Sequence, residues 1–143
     1  MRFMMIMFPK EYLDAKPGWV PDLKSMEAMG KYNEELGKAG VLLALDGLTP
    51  PATMSARVTF KNGKSTVTDG PFTETREVVG GYAIMDFATK EEAVESTRQF
   101  MELHRKFWPG WEGETEIRQM FGPEDYTCEG GSFQLKSDAI AKK

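Results

Sequence analysis

Residues 2–8 are apolar at every position after Arg2. Alternation places Phe3, Met5 and Met7 on one face and Met4, Ile6 and Phe8 on the other. A strand that is apolar on both sides belongs at the centre of a sheet covered on both faces. Residues 9–21 contain three prolines, Gly18 and Trp19, and read as a loop with an exposed tryptophan. Asp22 or Ser25 is placed to cap a helix that runs to about Ala39, with Pro21 near its first turn. Leu23, Met26, Met29 or Gly30, Tyr32 or Asn33, and Leu36 recur at three- to four-residue steps and form one stripe. Gly40 stands where a left-handed helix cap is wanted.

The second half alternates in the same way. Residues 41–45 form a short apolar strand, ended by Asp46-Gly47 and Pro50-Pro51. Asn62-Gly63 separates two β-rich runs, 55–60 and 65–68, and predicts a hairpin whose two turn residues need a positive φ. Residues 78–87 read as a long strand in which Gly80-Gly81 marks a bulge or a close backbone approach. Thr89 and Glu92 form a capping box for a helix from about Lys90 to His104 or Arg105. Trp108 and Trp111 sit in a loop, 105–113. Residues 114–121 are charged and then apolar, as in an edge strand. Beyond Gly122 the pattern fades, and residues 127–143 read as a poorly ordered tail or an arm laid on a partner.

This order is strand, helix, strand, hairpin, strand, helix, strand. Without the hairpin it is βαββαβ, an α+β ferredoxin-like unit with both helices on one sheet face. One domain, residues 1–126, is expected, followed by the tail. The uncovered apolar sheet face calls for a second copy packed sheet on sheet, hence a homodimer.

Composition narrows the function. The 143 residues carry 41% hydrophobic and 28% charged side chains, ordinary for one globular domain. The net charge is −4 and the basic residues are scattered, so no nucleic-acid footprint is expected. The apolar start is short and is stopped by Pro9-Lys10-Glu11, unlike a signal peptide, and no run approaches a membrane span. Cys128 is the single cysteine, which rules out an intrachain disulfide and a cysteine-built metal site. It fits a reducing, cytoplasmic setting. With one histidine as well, neither a transition metal nor a cofactor is expected.

Candidate chemistry centres on residues 68–77, Thr-Asp-Gly-Pro-Phe-Thr-Glu-Thr-Arg-Glu. Asp69 reads either as a turn-former or as a catalytic carboxylate at a cleft mouth. Asp46, at a strand end before glycine, has the same two readings. His104 lies on the inward stripe of the second helix with Ala93, Thr97 and Phe100, as a packing residue or as an acid–base group. Glu74, Arg76 and Glu77 read as a surface charge network, in which Arg76 could also clamp a carboxylate or phosphate. Phe72 anchors its loop in a core or faces a ligand. Tyr82, Trp108 and Trp111 suit either packing or stacking on an aromatic ligand. Gly80-Gly81 lacks the spacing of a phosphate loop.

Asp69-Gly70-Pro71-Phe72, followed by residues 73–77 and Gly80-Gly81-Tyr82, closely resembles the signature of the YCII-related (DGPF domain) proteins. Gly47-Leu48-Thr49-Pro50 and Glu116-Ile117-Arg118-Gln119 match two further features of that family. The resemblance covers roughly residues 1–126. It implies a ferredoxin-like fold assembled as a dimeric α/β barrel, and a regulatory association with extracytoplasmic-function sigma factors. Most similar proteins have no established activity. The wider superfamily includes dehydrochlorinase-type enzymes acting on chlorinated aromatic diols through a His–Asp site. Its histidine lies in the first helix, and the matching position here falls near Met29. That helix contains no histidine.

Three functions follow as expectations. One is a small dimeric protein, regulatory and linked to a sigma factor, that holds a small molecule in an interfacial cavity. Another is a lyase- or isomerase-like enzyme in which Asp46 or Asp69, with His104, moves protons on a small cyclic or aromatic substrate. The third is an interaction module for a sigma factor.

Overall fold

The computed structural model describes residues 1–72, 77–129 and 132–135. In chain order its elements are β1 (Arg2–Pro9), a 3-10 turn (Lys10–Leu13), α1 (Leu23–Lys38), β2 (Leu42–Gly47), β3 (Ala56–Lys61), β4 (Lys64–Asp69), β5 (Gly81–Asp86), α2 (Lys90–Phe107), β6 (Gly113–Gln119), a second 3-10 turn (Pro123–Asp125), β7 (Tyr126–Glu129) and β8 (Ser132–Leu135). The main sheet has the order β2-β5-β1-β6 with every neighbouring pair antiparallel. Both apolar strands, β1 and β5, occupy the centre. Order and direction are those of a ferredoxin-like βαββαβ unit.

Register sorts the side chains. Phe3 pairs with Met85 and Met5 with Ala83, so these four share a face. They form the buried core with Ala93 of α2, and Leu36 of α1 and Ile117 of β6 pack against it. Both helices therefore lie on this face, α1 over β2 and α2 over β6. Met4 pairs with Ile84 and Ile6 with Tyr82, and this opposite face is half-exposed.

Local signals act as the sequence dictates. The Asp22 side chain accepts from the Ser25 N–H at 3.0 Å, so Asp22 is the cap and the Ser25 side chain is left for another task. Gly40 has φ +72°. Thr89 Oγ1 accepts from Glu92 N–H at 3.2 Å, but the Glu92 carboxylate takes the Ala88 N–H, one residue before the expected one. The helix outlasts its predicted end by two or three residues, and Pro109 then forbids its continuation. β5 starts three residues late. Pro9, which has no N–H, stands where its ladder with β1 would go on. Gly80 there lies against the Pro9 ring, with no room for a β-carbon.

The β3–β4 hairpin turns at Asn62 (φ 50°) and Gly63 (φ 73°) and is exposed at every strand position. Val58 pairs with Val67 and Phe60 with Ser65, so Val58, Phe60 and Val67 share one apolar face. Beyond β6, β7 pairs with β8 as a short hairpin inside the stretch expected to be a tail. The rest of that stretch lies outside the described residues. No helix among the described residues is long and apolar enough to cross a membrane.

Candidate functional site

Between the helices and the sheet lies a cavity of ≈330 Å³. Met5, Met7, Ala83 and Met85 line it from the sheet. Ser25, Met29 and Asn33 line it from α1, one turn apart along a single stripe. Thr97, Phe100 and His104 do the same from α2, Trp108 just past its end, and Thr115 from β6. The cavity is thus the unfilled end of the same layer whose other end is the Phe3–Met85 core.

An aromatic chain closes one end. Trp19 stacks on Trp108 with ring centroids 5.8 Å apart, and Tyr12 meets Trp19 edge-on at 5.0 Å. The Tyr12 hydroxyl donates to the Leu48 carbonyl at 2.9 Å and ties this loop to the end of β2. Trp19 is therefore half-buried in the wall, where the composition of its loop predicted exposure. The local sequence is loop-like, but Trp108 arrives from the far end of α2 to cover it. His104 lies between Phe100 and Trp111, each 4.7 Å away by ring centroid.

His104 is 8% exposed, and burial lowers its pKa, so the ring is neutral at pH 7. Nδ1 lies 3.0 Å from the Phe100 carbonyl. A carbonyl only accepts, so Nδ1 carries the proton and Nε2 keeps a lone pair. The Met29 position, where the superfamily histidine would fall, lines the same cavity as His104.

The other candidates are placed differently. Asp46 pairs with Tyr82 across β2 and β5, and the tyrosine hydroxyl donates to Asp46 Oδ2 at 3.0 Å. That hydrogen bond and the carboxylate charge raise the Tyr82 pKa. Both residues stand at the cavity rim, yet Tyr82 also pairs with Ile6, on the sheet face opposite Met5 and Met7. Asp69 ends β4, exposed, opposite Ala56, and is not among the cavity residues. Next to it the Gly70-Pro71 bond is cis, and a β-carbon on Gly70 would meet the Ser55 hydroxyl. The Phe72 ring lies 4.1 Å beneath the Arg57 guanidinium, at the base of the hairpin. Arg76 and Glu74 lie outside the described residues. Of the expected ligand-binding residues that are described, Trp108 and Tyr82 line the cavity, Trp108 within the aromatic wall and Tyr82 at the rim, and Phe72 does not line it.

Ser25, Asn33 and Trp19 were not legible as site residues. A polar residue at each end of an i, i+4, i+8 stripe was the available signal for Ser25 and Asn33. Among the described residues, no three of His, Cys, Asp and Glu gather to hold a metal ion.

Fold and cavity together define a small α+β protein with an apolar chamber between its helix layer and its sheet. The chain belongs to the YCII-related domain family, whose model matches residues 1–101. His104, Trp108, Trp111 and Thr115 lie beyond the matched stretch. The chain is also 32% identical over 76 residues to the uncharacterized protein R00369 of Rhizobium meliloti (strain 1021). That match spans 53% of this chain and 58% of the relative.

Proposed function

We propose that this chain is a small-molecule-binding protein whose ligand sits between α1, α2 and the sheet. The observation that carries this reading is the cavity, ≈330 Å³ and walled by tryptophan, phenylalanine and methionine. Ligand chambers are generally of this size, apolar, with a few convergent polar groups. Aromatic walls favour a flat ligand, because offset and edge-on ring contacts add to the area buried. The chamber belongs to one chain, so this site differs from the interfacial cavity expected from the sequence. Titrating tryptophan emission with naphthalene tests it. A saturable change is expected in the native protein. Gly30→Leu should abolish it, since Gly30 lines the cavity and a β-carbon there meets open space. No saturable change in the native protein would overturn the reading.

A second copy is the natural cover for the outer sheet face. Met4, Ile6, Phe8 and Ile84 are half-exposed there, and the Val58-Phe60-Val67 stripe of the hairpin is exposed. An isologous contact across the sheet face would bury the first set on both copies. A regulatory tie to a sigma factor rests on the family resemblance alone. The lyase or isomerase reading is less well supported. Asp46 stands at the chamber rim with its carboxylate bonded to Tyr82, and Asp69 does not line the chamber, which leaves His104 Nε2 as the basic group at hand.

A further inference from the structure

Three polar atoms in this layer are shielded and have no hydrogen-bond partner: Ser25 Oγ, Asn33 Oδ1 and Thr115 Oγ1. All three residues line the chamber. Ser25 is 2% exposed, and its N–H, not its hydroxyl, serves the helix cap. Buried polar atoms are nearly always paired, with protein groups or with water, so these three are open to whatever enters the chamber. Asn33 Oδ1 and His104 Nε2 are acceptors, and the two hydroxyls serve as donor or acceptor. The set asks for a ligand that carries hydrogen-bond donors.

Charge is excluded on the same grounds. Among the described residues lining the chamber, no Lys, Arg or Glu occurs, and the Asp46 carboxylate at the rim is engaged by Tyr82. His104 is neutral. An ionised ligand would lose its water without gaining a counter-charge.

Size supplies the last constraint. An apolar cavity of about 150 Å³ holds one benzene ring. A chamber of ≈330 Å³ has room for two.

Resting on the reading of the chamber as a ligand site, we infer that it selects an uncharged, two-ring aromatic molecule bearing a hydrogen-bond donor on its edge. Ser25, Asn33 and Thr115 are its specificity-determining residues.

Calorimetric titration of the full chain with naphthalene, 2-naphthol, 2-naphthoate and phenol tests this. The expected order places 2-naphthol first, about five- to tenfold tighter than naphthalene, the effect of one buried hydrogen bond. Binding of 2-naphthoate and phenol should be weaker than that of 2-naphthol. Asn33→Leu should bring 2-naphthol down to the affinity of naphthalene while naphthalene binding persists. Thr115→Val, nearly isosteric, should shrink the same preference and guards against a folding defect in the first variant. If naphthalene and 2-naphthol bind alike, or 2-naphthoate binds as well as 2-naphthol, the inference fails and the chamber reading stands. The inference also fails if both variants keep the native preference. If none of the four binds, both fall.

Discussion

The Tyr82 hydroxyl donates to the Asp46 carboxylate at 3.0 Å on one face of the sheet, while His104 lines the chamber on the other. Cross-strand pairing fixes this, because partners in an antiparallel pair project to the same side. Ile6, Tyr82 and Asp46 are partners in turn across β1, β5 and β2. Tyr82→Phe and Asp46→Asn are therefore expected to leave naphthalene binding unchanged within about twofold, an energy below the smallest usual contact. A clear loss in calorimetry would place this pair in the chamber's chemistry.

His104 ties stability to pH. Its folded pKa lies below the ordinary value of 6.5 because burial disfavours the charged ring. Below that value the unfolded chain binds the proton first, so it holds more protons than the folded one. Stability should be complete above the unfolded value and fall as pH drops through the window down to the folded one. Urea midpoints at about pH 7.5 and 5.5 would show the drop, and His104→Gln should lessen it.

Gly80 and Gly37 should respond to alanine with opposite signs. A β-carbon on Gly80 meets Pro9 Cδ at 2.6 Å and lies 3.4 Å from the Tyr12 ring. Gly80→Ala is expected to cost about 1–3 kcal/mol through displaced neighbours. Gly37 lies in α1 with open space around the added carbon. Gly37→Ala should stabilise by roughly 0.5–1 kcal/mol, from the helix preference alone. Denaturant unfolding of both variants decides.

Asp22→Ala removes the cap of α1 and should cost about 1 kcal/mol. The released Ser25 N–H begins the stripe that lines the chamber. Fraying of this turn should also weaken 2-naphthol binding, read in the same calorimetric titration.

Ile84 lies on the outer face of the central strand β5, half-exposed and paired with Met4. Ile84→Glu should shift the mass seen by sedimentation from dimer to monomer while circular dichroism keeps its native shape. A native protein that sediments as a monomer at micromolar concentration would refute the dimer.

The elements themselves were legible in the chain. Double-sided apolarity put β1 in the middle of the sheet, and Asn62-Gly63 set the hairpin, because each is a local rule read from a few neighbours. Gly40 fixed the end of α1 for the same reason, while its start was narrowed only to Asp22 or Ser25. Trp19 was misread because its cover, Trp108, stands almost ninety residues away in the chain. Asp46 carried the right residue type at a strand end, but whether it faced the chamber depended on register across β5.

Sequence alone therefore determined the core strands, the two helices and the βαββαβ order, but not the β7–β8 hairpin, since periodicity, capping and turn chemistry act over a few residues. Only the tertiary structure decided what shares a space. Helix packing brought Ser25, Asn33, His104 and Thr115 around one chamber, and strand pairing left Asp46 at its rim, bonded to Tyr82. Those outcomes depend on contacts between residues distant in the chain, and no local pattern records them.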